Sequence, residues 1–124
     1  MITVRIPNDE NFNYKENKKL YKKFQRIMED DQPFREVVKN TFYYSFYNDE
    51  TLIGAIYCFY RDDKLFLNAF ATRHHHNENI ECFKKVLSWF NCDMYAESNK
   101  KTAIYCLLKC GFKKLKDNIF IYRR

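Results

Sequence analysis

Three strand-like segments in quick succession constrain the fold most. Phe42 to Tyr47 is almost entirely aromatic and ends at Asn48-Asp49-Glu50. Leu52 to Tyr60 ends at Arg61-Asp62-Asp63, and Lys64 to Thr72 follows directly. Short Asn/Asp turns between β-rich runs predict an antiparallel meander. With only 2 Gly and 2 Pro in the chain, tight turns have to lean on Asn and Asp. Phe42 to Tyr47 could also stack bases if exposed beside positive charge. The ordinary place for such rings is the interior, so the segment reads as a strand buried on both faces.

After the meander, the chain alternates helix and strand. Asn79 to Asn91 places Ile80, Phe83, Leu87 and Phe90 on one helical face, with Glu81, Lys84, Lys85 and Ser88 opposite. Met94 to Ala96 is a short strand. Lys100 to Cys110 carries an apolar stripe at Ala103, Ile104, Leu107 and Leu108, with Ser98 or Asn99 as expected N-cap and Gly111 as helix stop. Phe112 to Leu115 and Asn118 to Tyr122 close as a hairpin around Lys116-Asp117.

Before the meander, Thr3 to Ile6 reads as an edge strand closed by Pro7. Glu16 to Asp30 is amphipathic, with Leu20, Phe24, Ile27 and Met28 on one face and a cluster of lysines elsewhere. Asp30-Asp31-Gln32-Pro33 breaks it, and a second short helix runs through Val37 and Val38. The predicted order is β-α-α-β-β-β-α-β-α-β-β over a single domain, 1–124. This is an α+β domain with a mixed, mostly antiparallel sheet of six to seven strands and about four helices. The helix after the meander has to cross over to a neighbouring strand.

Composition narrows the class. Hydrophobic residues at 46% support a real core, and 12 Phe with 10 Tyr make it a core of rings. No apolar run approaches the roughly 20 residues of a membrane span, and the start lacks the long apolar stretch of a signal peptide. A cytoplasmic location without membrane contact is the expectation. The five cysteines form no Cys-x-x-Cys pair and sit among apolar neighbours, as reduced core thiols do. Cys106 and Cys110, four apart, lack the nearby base or cation that a nucleophile requires. His74-His75-His76 invites a metal reading with Cys82, but consecutive side chains diverge, and structural zinc sites use spaced ligands. The triplet reads instead as an exposed basic loop; no metal is expected. A net charge of +6 favours polyanionic partners: nucleic acid, an acidic protein or a phosphorylated cofactor.

The element order, together with the segment "NKKTAIYCLLKCGF", resembles the GNAT superfamily of acyl-CoA-dependent N-acyltransferases. Many members carry an Asn, then a small residue, an apolar helix, and Gly-Phe opening a strand. Here these are Asn99, Thr102 or Ala103, Leu107 and Gly111-Phe112. The resemblance implies acetyl-CoA as acyl donor and an amine-bearing acceptor. It also implies that Asn68 to Ile80 holds the donor, because the free N–H groups at a helix N-terminus suit an anion. Phe70 or Ala71 would offer a backbone N–H to the developing oxyanion. Thr72, Arg73, His75, His76, Asn77 and Glu78 would lie around the pyrophosphate, and Asn99 with Ala103 would line the pantetheine channel.

Two departures accompany the resemblance. The loop after the fourth strand has no glycine, where the family has two that let backbone approach the phosphates; Glu78 falls beside the phosphate site in either register, with Arg73 or with His75 at the basic position. The position of the family's tyrosine acid is Leu107, and Tyr105 lies about 200° away around the helix. For a base, the fourth strand offers Asn68, which cannot titrate, whereas the fifth ends in Glu97. Glu97 is the candidate for deprotonating an amine, directly or through water; the other role open to it is stabilising the last helix's start. The expected function is acetyl transfer from acetyl-CoA to an amine by direct attack. The alternative is a non-catalytic domain of this fold that contacts a protein or nucleic acid through its basic surface.

Overall fold

The computed structural model describes residues Met1–Arg124. Its elements are β1 (Ile2–Arg5), α1 (Tyr14–Phe24), α2 (Phe34–Asn40), β2 (Phe42–Asn48), β3 (Thr51–Arg61) and β4 (Lys64–Ala71), followed by α3 (His76–Ser88), β5 (Met94–Glu97), α4 (Lys101–Lys109), β6 (Lys113–Lys116) and β7 (Ile119–Tyr122). The order and the α+β class are those expected. All seven strands form one sheet in the order β1-β2-β3-β4-β5-β7-β6. Only β4 and β5 run parallel, because α3 carries the chain across the sheet between them. No helix is long and apolar enough to cross a membrane.

Aspartates make the turns that glycine usually makes. Asp62 and Asp63 both have positive φ (52° and 62°), closing the β3–β4 hairpin with two consecutive left-handed residues. Asp49 and Asp117 take the same conformation at the other two hairpins.

A core lies on each face of the sheet. On one, Phe83, Val86 and Leu87 of α3 and Leu107 of α4 pack on Ile56, Leu67 and Met94. On the other, Leu20 and Tyr21 of α1 and Phe34 and Val37 of α2 pack on Tyr43, Tyr57 and Phe70. Phe46 belongs to the first core, and Tyr43 and Tyr47 to the second, so β2 is buried on both faces as expected. Phe42 at its start is exposed. Under α1, the fully buried Asn17 donates to Tyr47 Oη (2.9 Å) and Asn13 O (2.8 Å) and accepts from Tyr43 Oη (2.8 Å), which satisfies its amide.

Several boundaries differ from expectation. The helix expected over Glu16 to Asp30 begins at Tyr14, capped by Asn13 Oδ1 on the Glu16 N–H (3.0 Å), and α1 ends at Phe24. A helical turn continues to Met28 and closes with Asp30 N–H on Gln25 O and Glu29 N–H on Arg26 O, with Glu29 left-handed at φ 56°. α3 starts and stops three residues earlier than expected, since its first turn, His76-Asn77-Glu78, is polar and invisible to an apolar period. Lys100, rather than Ser98 or Asn99, is the N-cap of α4; Ser98 Oγ accepts the Lys100 N–H instead (3.1 Å). Phe112 is a buried core side chain just outside β6.

Candidate active site

β4 and β5 stay together only at Leu65↔Met94 and Phe66↔Tyr95. Beyond that point β4 remains with β3 as far as Ala71, while β5 turns to β7, pairing Glu97 with Ile119. The strands therefore splay, and the free edge of β4 faces a gap. Thr72 N–H donates to Ile53 O (2.9 Å) on the β3 side. Backbone direction alternates along a strand, so Ala69 and Ala71 turn their N–H groups into the gap, and Phe70 turns its own toward β3. Of the two expected oxyanion donors, Ala71 has this orientation. A cleft of about 840 Å³ fills the opening, walled by Ala69, Ala71, Ile80, Ala96, Ala103 and Leu107.

A bulge in the β2–β3 pairing lies beside the far end of β4. Between Phe46 and Tyr47 the β2–β3 register slips, and Ile53 is the extra residue. Its carbonyl accepts from Thr72 N–H (2.9 Å), Thr72 Oγ1 (3.1 Å) and Asn79 Nδ2 (3.1 Å). The end of β4 and the start of α3 are thus fastened to one oxygen.

Solved structures share this fold over nearly their whole length. A probable acetyltransferase from Staphylococcus epidermidis ATCC 12228 superposes with a TM-score of 0.72 at 15% identity, covering 99% of both chains. The N-acetyltransferase from Staphylococcus aureus Mu50 gives 0.68 at 15% identity, over 99% of this chain and 97% of that one. The chain has the GNAT fold. Campylobacter jejuni N-acetyltransferase PseH, solved with acetyl coenzyme A, matches at 0.67 and 12% identity over 100% of this chain and 99% of its own. No protein-family model matches the sequence, and no curated protein matches it. Divergence at this level leaves the GNAT architecture intact while the side chains of the cleft are free to differ.

The cleft gathers most of the expected site residues. Asn99 and Ala103 line it on the α4 side, and Phe70, Thr72, Arg73 and His76 on the other. His75, Asn77 and Glu78 stand outside its wall. His75 precedes α3 as its N-cap, and its Nδ1 lies 3.2 Å from Glu78 Oε2. The Glu78 carboxylate also accepts its own backbone N–H, and these two contacts, the backbone one larger, hold it below the usual carboxylate range. His76 stacks its ring on exposed Tyr105 of α4, with centroids 6.0 Å apart. No three His, Cys, Asp or Glu side chains lie close enough to hold a metal ion.

Glu97 sits on the α1/α2 side of the sheet, its carboxylate 3.0 Å from Arg61 Nη1. The Arg61 guanidinium lies 3.8 Å above the Phe66 ring, which fixes the pair at the cleft's edge. Leu107 is a buried core residue. Neighbouring Cys106 lines the cleft with its thiol pushed up by burial. Burial also raises Cys82 and Cys110 to about 11 and Cys58 to about 12. These four thiols therefore stay protonated near neutral pH and are poor nucleophiles.

One cleft group escaped the sequence reading. Asp30 accepts from Tyr57 Oη (2.7 Å) and from the Gln32 N–H (3.0 Å), and Asn68 Nδ2 donates to the same tyrosine oxygen (3.1 Å). Burial, then the Asp30 bond, drives the Tyr57 hydroxyl far above its ordinary value, so it remains a donor. In the sequence, Asp30 showed only as part of a helix breaker; nothing local links it to a tyrosine 27 residues away. Together with Glu29 and Glu97 it makes this mouth of the cleft acidic, whereas Arg73 and Lys100 border it on the α3/α4 side. Tyr57→Phe should cost about 1 kcal/mol of stability through the lost bond to Asp30. Urea unfolding of the variant checks the number.

The halves of a coenzyme A thioester fit this site unequally. A slender thioester arm suits the splay, with its alanine walls and free strand edge. The diphosphate does not suit the start of α3, where the Glu78 carboxylate already stands in the first turn.

Proposed function

We propose that this chain is an N-acyltransferase that moves an acetyl group from a pantetheine thioester, most simply acetyl-CoA, to an amine. The observation that carries the reading is the open β4 edge, with the Ala69 and Ala71 N–H groups directed into a cleft that reaches both faces of the sheet. A thioester supplies an activated acyl carbon and a thiolate leaving group. The Ala71 N–H is placed to stabilise the oxygen of a carbonyl under attack. Asp30, Glu29 and Glu97 attract a protonated amine to the acidic mouth, and the Glu97 carboxylate takes one ammonium proton, which frees the nitrogen lone pair for attack. As the C–N bond forms and the C–S bond breaks, the nitrogen sheds its second proton through water to the departing thiolate, since Leu107 stands at the acid position.

Calorimetry with S-acetyl-pantetheine and acetyl-CoA, followed by a transfer assay on a panel of primary amines, tests the reading. Binding of at least one thioester and acetylation of a cationic amine are expected. Failure of both thioesters to bind at millimolar concentration would overturn it.

A further inference from the structure

At the start of α3, just outside the cleft wall, the protein places a carboxylate of its own. Glu78, in the first turn of α3, has its carboxylate 3.2 Å from His75 Nδ1. His76, the first residue of the same helix, lies against Tyr105 in the middle of α4, which ties the two helices flanking the cleft together. A carboxylate at this point already satisfies the helix dipole and repels a second anion. Along β4 the cleft is different: Ala69, Ala71 and Ala103 leave room, and the strand edge is unpaired.

We propose that the acyl donor is recognised by its pantetheine arm alone, and that no diphosphate is held at the start of α3. The proposal rests on the acyltransfer reading above and adds to it a donor class: thioesters of pantetheine, whatever the arm is attached to. A group beyond the arm, such as the phosphoadenosine of coenzyme A, extends past Glu78 into solvent and adds little affinity.

The test compares coenzyme A with pantetheine by calorimetry, in the unaltered protein and in Glu78→Gln. Glutamine keeps the length and hydrogen-bonding capacity of the side chain while removing its charge, so the helix start is preserved. The expected result is that the two compounds bind the unaltered protein within about threefold of each other. Glu78→Gln should then tighten coenzyme A by about tenfold or more, leaving pantetheine unchanged. Tyr105→Ala, which releases His76, should move coenzyme A in the same direction. If the unaltered protein binds coenzyme A more than about tenfold tighter than pantetheine, and Glu78→Gln does not improve it, the proposal fails while the acyltransfer reading stands. If neither compound binds, both fail together.

Discussion

Gly54→Ala should destabilise the fold by about 3 kcal/mol, the range for overpacking at a buried, inflexible site. A Cβ at this position would overlap Asn79 Oδ1 and lie 3.0 Å from Phe70 O, a backbone atom that cannot step aside without moving β4. Nor is Asn79 free to swing away. It is 9% exposed, and its Nδ2 is committed to Ile53 O and His75 O (3.1 and 3.0 Å). Its Oδ1 is buried without a hydrogen-bond partner, a cost accepted because the amide's other end fastens the bulge. Urea unfolding should show the loss as a lower midpoint with an unchanged slope. In an Asn79→Ala background the same substitution should cost at least about 1 kcal/mol less, because the two sites share one contact. A loss below about 0.5 kcal/mol, or strict additivity, would show that the β2–β3 bulge does not hold α3 in this way.

The same residues show what was and was not legible in the sequence. Strands and helices follow from local periodicity: the Asn/Asp turns marked the hairpins, and the stripe at Ile80, Phe83 and Leu87 marked α3. The parallel junction followed from a helix lying between two neighbouring strands. What periodicity misses is any polar element whose partner is distant in sequence. The first turn of α3 carries no apolar residue, so His76 to Glu78 fell outside the expected helix. Asp30 reaches Tyr57, and Glu97 reaches Arg61 across 36 residues. Asn79 lies over Gly54 only because α3 packs across β3. Such contacts depend on strand order and register, which are properties of the assembled sheet. The departures at Leu107 and in the glycine-free loop could be read directly, since they are substitutions at positions marked by the GNAT resemblance.

Glu97→Gln should lower kcat for amine acetylation by about 100-fold or more, the low end of the contribution of a positioned general base. Glutamine keeps the shape of the side chain, its carbonyl still accepts from Arg61, and the backbone pairing of Glu97 with Ile119 is untouched. What it cannot do is take a proton. The fold should barely notice: the Arg61–Glu97 pair is about half exposed, with side chains 41% and 51% accessible, and surface pairs contribute about 0–1 kcal/mol. Donor affinity should not change either, because Glu97 lies on the α1/α2 face and the thioester arm enters along β4. Asp30→Asn is the contrasting measurement. Asp30 is held by Tyr57 and the Gln32 N–H, so it is positioned to bind the acceptor, and its loss should appear mainly in the acceptor's KM. A Glu97→Gln enzyme within about threefold of full kcat, beside an Asp30→Asn enzyme that loses about 100-fold in kcat, would reverse the two roles and make Asp30 the base.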